Sequence, residues 1–261
     1  MYSNMETTEY IHIVMCSYKR VCNIPDILKS LSKQSVSYRI HLHILNNNSL
    51  ETENLNNIIN YTTYTIRITL KHYNNENNIF ERFIYSKELR QMGVSYIIYI
   101  DDDMSYKSTW VEQMYNMRKP THFITWYVKL FTHNNDCIDY HNTNNDYILL
   151  NYSCDSIITY NDSIKNKNND YIYGNYGGPG GSIIDATIFD NDDFYKLPNE
   201  DLKFMDDIWI SCYIIREIKW KIKRSFLPPT LILNKTTTDT ALYDRIAPMK
   251  NKWFLILVNN Q

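Results

Sequence analysis

Apolar and polar residues alternate with two different periods along the first hundred positions. Short runs rich in β-branched and apolar residues predict strands, and apolar residues three or four positions apart predict helices between them. The predicted strands are Tyr10–Cys16, Ile40–Leu45, Thr65–Leu70 and Tyr96–Ile100. The predicted helices are Ile24–Ser32, a short one around Leu55, Ile58 and Ile59, and Glu76–Met92, with Gly93 as its stop.

This succession of strands and helices predicts the α/β class. Units of this size form a mostly parallel central sheet with helices on both faces. Ligands bind such sheets beyond the carboxyl ends of the strands. The loops Ser17–Arg20, Asn46–Ser49 and Asp101–Asp103 each follow a predicted strand, so we expect them to meet at that edge.

The second half of the chain is less regular. Its predicted elements are a helix opened by the capping box Thr109-x-x-Glu112, the strands Thr121–Leu130 and Ser182–Ile184, and the helix Asp201–Ile218. The polar, Asn-rich segment 133–167 predicts an excursion over the ligand-binding end of the sheet rather than a separate domain. A Gly-rich run, 177–181, precedes the strand at Ser182.

Composition and charge exclude several classes of protein. The chain has 261 residues with 44% hydrophobic content, which suits one globular domain, and its formal charge of -2 leaves no basic surface for nucleic acid. We expect no membrane span, because no apolar run approaches the ~20 residues that one requires. The abundance of Asn, Ile, Tyr and Lys is typical of an AT-rich genome, such as that of a large DNA virus.

The compartment is predicted from the cysteines and the first residues. Five scattered cysteines, none of them in a close pair of zinc-ligand spacing, indicate reduced thiols in a cytosol-like compartment. The polar segment Met1–Tyr10 does not resemble a signal peptide. We therefore expect a cytoplasmic protein, in the host cytoplasm if the source is viral.

The strongest chemical signal is the run of three aspartates after Tyr96–Ile100. Adjacent carboxylates repel one another unless a cation neutralises them. Magnesium and manganese take oxygen ligands, usually a few carboxylates together with substrate phosphates. The alternative is a solvated acidic turn or the charge of a helix start. The apolar strand that leads into Asp101, Asp102 and Asp103 favours a metal site.

Several segments resemble glycosyltransferase family 2 and related GT-A enzymes. Ile13–Arg20 and Ile27–Gln34 are similar to the family's opening strand, its Thr/Ser-Tyr-x-Arg loop and the helix that ends in Gln. His43–Ser49 is similar to the second strand, and Asp101–Asp103 takes the place of the family's DXD element. The similarity is strongest over Ile11–Met104.

The resemblance implies a GT-A (Rossmann-like) fold in one domain, with 1–104 as the nucleotide-binding half and 105–261 as the acceptor-binding half. It implies a nucleotide-sugar donor, with a UDP-sugar as the main expectation, and Mn²⁺ or Mg²⁺ as cofactor. The residues implied in donor binding are Ser17, Tyr18, Arg20, Asn47, Arg82, Asp101 and Asp102, and the implied metal ligands are Asp103 and Asp101. For Arg20 and Arg82 the alternative is a solvated basic side chain.

Inverting GT-A enzymes also carry an acidic motif at a helix start, after a Gly-rich segment, in which one carboxylate is the general base. The resemblance gives this role to Asp207, with Asp206 as second choice. Glu200 and Asp201 form a competing acidic pair, and ordinary helix-start charges are the alternative for all four. The chain has no histidine after residue 141 that could serve as a further metal ligand.

Sugar or acceptor contacts are expected from the Gly-rich run and from one aromatic residue. Gly180 and Gly181 permit close approach of a sugar or diphosphate, although a mobile loop would have the same composition. Trp209 offers a ring for stacking on a sugar face, although large aromatics are more often core.

The predicted activity is inverting transfer to a hydroxyl group, with a growing glycan as the expected acceptor. One alternative is a sugar-nucleotide nucleotidyltransferase, which the loop Cys16–Arg20 disfavours because it lacks glycine. The other is an inactive carbohydrate-binding relative, which the retained Asp103 and Asp207 disfavour.

Overall fold

The computed structural model describes residues 9–60, 63–73, 78–129, 173–178 and 180–231. The predicted excursion over 133–167 lies outside these residues. The α-helices within them are α1 (Ile24–Ser32), α2 (Thr52–Asn60), α3 (Glu81–Gln91), α4 (Trp110–Asn116) and α5 (Asp206–Arg216).

Most of the strands belong to one central sheet. The strands are β1 (Ile11–Ser17), β2 (Ile40–Asn46), β3 (Arg67–His72), β4 (Tyr96–Ile100), β5 (Met104–Ser105), β6 (His122–Thr125), β7 (Val128–Lys129), β8 (Tyr173–Gly174), β9 (Tyr176–Gly177), β10 (Ser182–Asp185), β11 (Lys221–Arg224) and β12 (Thr230–Leu231). The eight-stranded sheet has the order β3-β2-β1-β4-β10-β6-β11-β8, and two small two-stranded sheets pair β5 with β12 and β7 with β9.

The central sheet is mixed but mostly parallel, which confirms the predicted α/β class. β1 pairs in parallel with β2 and β4, β2 with β3, and β6 with β11. β10 is antiparallel to both of its neighbours, and Ser182 lies opposite Tyr99 of β4 and Thr125 of β6. The start of β10 therefore lies beside the carboxyl ends of β4 and β6.

Helices cover both faces of the sheet, as predicted. Successive side chains of a strand point to opposite faces. Ile13 and Met15 of β1 accordingly pack in the core that includes side chains of α1, α2 and α4. Val14 and Cys16 pack in the other core, with side chains of α3 and α5. β1 and β4 are buried on both sides, which explains their nearly continuous apolar sequences.

Two predicted elements are shorter than expected because the backbone changes direction within them. The predicted helix Asp201–Ile218 is a 3-10 helix, Glu200–Phe204, followed by α5, and Met205 between them has non-helical φ and ψ of −134° and 55°. The predicted strand Thr121–Leu130 is divided into β6 and β7 at Trp126, whose amide N–H donates to the Gly181 carbonyl (3.2 Å).

The predicted capping box at α4 is wrong. Thr109 is the residue before the helix, but its side chain makes no capping hydrogen bond. The Glu112 carboxylate instead accepts a hydrogen bond from the Ser35 hydroxyl at 2.7 Å, so it ties α4 to the segment that follows α1.

The described part of the chain has neither a candidate membrane span nor a disulfide. None of its helices is both long enough and apolar enough to cross a membrane. Cys16, Cys22 and Cys212, the cysteines within it, form no disulfide.

Gly181, just before β10, needs its lack of a side chain. Its φ is +101°, and a Cβ there would lie 2.5 Å from Cζ2 of the fully buried Trp110. Gly93, which follows α3 as predicted, has a similar φ of +92° but open space around it. A side chain would therefore strain the backbone at both glycines, but of the two only Gly181 would also have a steric clash.

We predict that Gly181→Ala lowers the free energy of unfolding by about 2 kcal/mol more than Gly93→Ala does, because only the former overpacks the core. Urea unfolding of both variants measures the difference. Equal losses would show that the contact with Trp110 is accommodated without cost.

Candidate active site

Three strand ends meet at one edge of the sheet, as predicted. Ser17 ends β1, Asn46 ends β2, and Asp101 follows β4 directly. The Asn47 amide N–H donates to the Ser17 carbonyl at 2.9 Å, which joins the first two loops. The Asn23 side chain donates to the Asp102 carbonyl at 2.9 Å and so fastens the aspartate loop to the segment before α1.

Two arginines interact with the carboxylates at this edge. The Arg20 guanidinium lies 2.5 Å from Asp103 Oδ2 and 3.3 Å from Asp102 Oδ1. The Arg82 guanidinium, which comes from α3, lies 3.2 Å from Asp206 Oδ2 and 3.8 Å from Asp101 Oδ1. Arg82 therefore connects the loop after β4 with the start of α5, about a hundred residues later in the chain.

Burial controls the electrostatics of this cluster. It raises the pKa of Asp102 to about 7, an effect that the Arg20 charge opposes and the charges of Asp103 and Asp101 reinforce. Burial and the Asp101 charge also raise the pKa of Asp103. Burial alone would lower the pKa of Arg82, but Asp206, Cys16 and Asp101 together outweigh burial and raise the pKa, so the guanidinium keeps its charge.

The cluster fits a divalent cation bound by few protein ligands. Four carboxylates (Asp101, Asp102, Asp103 and Asp206) face two guanidinium groups, so negative charge is in excess. Hard ions such as Mg²⁺ are commonly held by one or two carboxylates together with substrate phosphates. Among the described residues the aspartates do not form a compact three-ligand cage, which agrees with that mode of binding.

The region beside the aspartates contains buried polar atoms that lack partners. Ser17 Oγ and Asn47 Oδ1 are buried, and neither has a hydrogen-bond partner among the described residues. The Asn47 Nδ2 group donates to the Asn78 carbonyl at 2.8 Å, which orients the side chain. Tyr18 lies next to them and is half-buried. An unpaired buried polar atom costs roughly 1–3 kcal/mol, so a ligand with matching hydroxyl or amide groups would stabilise this region.

The Gly-rich run lies between the aspartate cluster and α5. The Gly180 amide N–H donates to Asp101 Oδ2 at 2.9 Å. The Tyr176 hydroxyl donates to Asp207 Oδ2 at 2.6 Å, and Asp207 Oδ1 accepts from the Ile208 amide at 2.9 Å. The first hydrogen bond places Gly180 next to Asp101, a predicted metal ligand. The second places Asp207, the candidate base, next to Tyr176, which directly precedes the Gly-rich run.

Two residues that the sequence singled out, Trp209 and Glu200, lie outside the candidate site. Trp209 belongs to the core: it is 7% exposed, its Nε1–H donates to the Phe194 carbonyl at 2.9 Å, and its ring packs near Tyr213. The sugar-stacking role predicted for Trp209 is therefore corrected to a packing role. The competing acidic residue Glu200 is mostly exposed and pairs with Lys203 one turn away, as a helix-start charge does.

Sequence reasoning missed the partners of the site residues. Nothing in the spacing of Tyr176 marks it as a hydrogen-bond donor to Asp207, and Asn23 is one of many asparagines. Arg82 was expected near the donor, but its link to Asp206 depends on how α3 and α5 pack on the same face of the sheet.

Comparison with known proteins establishes the fold. No protein-family model matches the sequence, and no curated protein matches it in sequence. The mannosyltransferase PcManGT from Pyrobaculum calidifontis, solved with GDP-Man and Mn²⁺, superposes with a TM-score of 0.54 at 8% identity over 93% of this chain and 61% of that one. Residues 1–349 of S. aureus TarS, bound to UDP-GlcNAc, give a TM-score of 0.52 at 9% identity over 97% of this chain and 68% of that one.

A further TarS structure has a TM-score of 0.50 at 10% identity over 92% of this chain and 39% of that one. This chain thus spans 61% and 39% of the lengths of PcManGT and of that TarS chain. At identities this low the likeness defines the fold, which is the mixed α/β fold of GT-A-type glycosyltransferases.

We predict that Arg82→Met lowers the free energy of unfolding by about 3–5 kcal/mol near neutral pH, because two partly buried carboxylates lose their counter-charge. Urea unfolding near pH 7 measures the loss.

The matched control is Arg90→Met on the same helix, where the guanidinium pairs with the exposed Asp190. This surface pair contributes little, so its removal has a small effect. A loss for Arg82→Met no larger than that for Arg90→Met would contradict the electrostatic interpretation of the bridge.

Proposed function

We propose that this chain is a metal-dependent, inverting glycosyltransferase that moves a sugar from a nucleotide-sugar, first of all a UDP-sugar, to a hydroxyl group. The observation that carries the proposal is the ion-paired bridge from Asp101 through Arg82 to Asp206. The bridge holds the aspartate loop after β4, which is the proposed donor-binding element, next to the carboxylate pair at the start of α5, which contains the proposed base. Both lie in one site on a GT-A-type sheet.

The nucleotide would bind at the ends of β1 and β2. The unpartnered Ser17 Oγ and Asn47 Oδ1 can bond to hydroxyl or N–H groups of a ribose or base. Tyr18 is adjacent and supplies an aromatic surface. Because the chain carries a net charge of only -2, its attraction for an anionic diphosphate must come from local groups, and Arg20 and Arg82 are two cations at this edge.

Asp103, together with Asp101, would hold the divalent ion. Bound Mn²⁺ or Mg²⁺ supplies Lewis-acid stabilisation of the negative charge that develops on the leaving diphosphate. PcManGT, which shares the fold, was solved with Mn²⁺. Asp102 would support the loop, because its backbone carbonyl is bound by Asn23 and its carboxylate by Arg20.

Asp207 is the proposed general base. It would take the proton from the acceptor hydroxyl as that oxygen bonds to the anomeric carbon, and the bond to the diphosphate breaks with its electron pair leaving on the diphosphate oxygen. Asp207 accepts hydrogen bonds from two neutral donors, the Tyr176 hydroxyl and the Ile208 amide. Asp206 is ion-paired with the Arg82 guanidinium, so it fits a positioning role better.

The finer assignments are also proposals. Inversion follows from the presence of a separate base, and the acceptor class is a glycan or another hydroxyl compound. Gly180 and Gly181 would border the sugar, since Gly180 bonds directly to Asp101. Four further statements remain predictions from the sequence. They are membership of glycosyltransferase family 2, a viral source, a cytoplasmic location, and the division at residue 104 into nucleotide-binding and acceptor-binding halves.

The metal and donor assignment predicts a metal-dependent thermal shift. In a panel of nucleotide-sugars, the cognate donor with Mn²⁺ should raise the melting temperature by mass action, and Asp103→Ala should remove most of the metal-dependent part. Asp26→Ala, an exposed aspartate on α1, is the control and should behave as wild type. A metal-dependent shift of unchanged size in Asp103→Ala would place the metal elsewhere.

The base assignment predicts a specific kinetic loss. Asp207→Asn should lower kcat by about 10²- to 10⁴-fold while leaving the donor Kd nearly unchanged, because a general base acts on the acceptor. Tyr176→Phe should cause a smaller loss by releasing the Asp207 carboxylate. If Asp206→Asn abolished turnover with donor binding intact while Asp207→Asn remained active, the two roles would be exchanged.

A further inference from the structure

A second cluster of potential ligands lies far from the aspartates. His12 is on β1, and His41 and His43 are on β2. His12 lies opposite His41 across the parallel pair, and residues two apart on a strand share a face. His12 and His41 are near the amino ends of these strands, and five residue steps along β1, roughly 16 Å, lead from His12 to Ser17.

The three imidazoles are within the range needed to share one metal ion. One ring nitrogen from each lies within 4.8 Å of the others. The closest pair is His12 Nδ1 and His43 Nε2, at 3.0 Å. Two nitrogens on a tetrahedral zinc ion, each about 2.0–2.1 Å from the metal, are about 3.4 Å apart. Small side-chain movements therefore suffice to bring the nitrogens to ligand distances.

The surroundings orient His43 for metal binding. Its Nδ1 lies 2.9 Å from the Tyr85 hydroxyl on α3. Metal-bound histidines usually make such a hydrogen bond with the nitrogen that does not bind the metal. With its hydrogen on Nδ1, His43 donates to the Tyr85 oxygen and presents a bare Nε2 toward His12.

Burial of the histidines favours the neutral imidazole form, which is the form that binds metals. Burial lowers the pKa of His41 to about 4 and that of His43 to about 2, and it also lowers the pKa of His12. A metal ion therefore does not have to displace an imidazolium proton. In the metal-free protein, His12 and His43 share one hydrogen between facing nitrogens, and on binding it moves to the outer nitrogen of its ring.

Nearby charges restrict the choice of ion. Arg67 on β3 disfavours positive charge on all three histidines, and Lys71 acts on His43 in the same sense. Among the described residues, Glu9 near His12 acts in the opposite sense. A cation that binds here must gain enough from imidazole coordination to outweigh this repulsion. Zinc and other late first-row ions bind imidazole strongly, whereas Mg²⁺ and Mn²⁺ favour oxygen ligands.

We propose that His12, His41 and His43 form a binding site for a divalent transition-metal ion of the zinc class, separate from the aspartate site. The ion joins β1 to β2 on the face covered by α3, and water occupies the remaining coordination position. It stabilises the pairing of the two strands whose carboxyl ends carry the proposed nucleotide-binding loops.

The test uses the full chain without an affinity tag, in the Asp103→Ala background so that the proposed catalytic metal site is removed. Elemental analysis after dialysis against Zn²⁺ and the visible absorption of added Co²⁺ give stoichiometry and geometry. We expect one equivalent of Zn²⁺, a d–d spectrum typical of tetrahedral Co²⁺, and a higher melting temperature with Zn²⁺.

Matched variants locate the ion. His43→Gln and the more exposed His12→Gln should each weaken binding by more than about 100-fold, while Tyr85→Phe weakens it by about 10-fold. His122→Gln replaces a buried histidine on β6, outside the cluster, and should leave binding unchanged. Arg67→Gln should tighten binding, because it removes the repelling charge; this result would distinguish a buried site from adventitious surface binding.

Two results would overturn the proposal. One is a folded Asp103→Ala protein that binds no Zn²⁺ or Co²⁺. The other is a folded His12→Gln protein, with wild-type circular dichroism, that keeps the stoichiometry and affinity of its parent. Neither result bears on the aspartate site, so the proposed transferase function would stand independently.

Discussion

The bridge from Asp101 through Arg82 to Asp206 is the interaction on which the candidate site depends. Its three members come from the end of β4, the first turn of α3 and the start of α5, and a helix on one face of the sheet thereby reaches its carboxyl edge. Without the guanidinium, burial would disfavour both carboxylates in their charged form. The pairing allows acidic groups to stay charged and close together, as a metal-diphosphate site requires.

The antiparallel β10 has a comparable role in the backbone. It enters the sheet between β4 and β6 and runs opposite to both, so the glycines before it arrive beside Asp101. Gly180 and Gly181 adopt positive φ values and lie against tryptophan rings, where a side chain would clash. The donor-side loops and α5 are thus joined by a segment whose close packing depends on glycine.

Much of the fold follows from local patterns. α1 matches its predicted bounds because Ile27, Leu28 and Leu31 follow one helical period, and β4 does because five apolar residues precede charged ones. The helix at Asp201 was overextended because its apolar spacing continues through the irregular Met205. The role of Trp209 could not be predicted, since its burial depends on Phe194 and Tyr213. The histidines of β1 and β2 carried a signal, the i, i+2 spacing of His41 and His43, that sequence reasoning did not use.

Release of nucleoside diphosphate from a panel of UDP- and GDP-sugars, measured with and without Mn²⁺ in wild type and Asp103→Ala, tests the central claim most directly. The account predicts release from at least one donor, dependent on Mn²⁺ or Mg²⁺ and lost in Asp103→Ala. Release that persists without metal or in the variant would contradict it, as would a folded wild-type protein that turns over no donor with either ion.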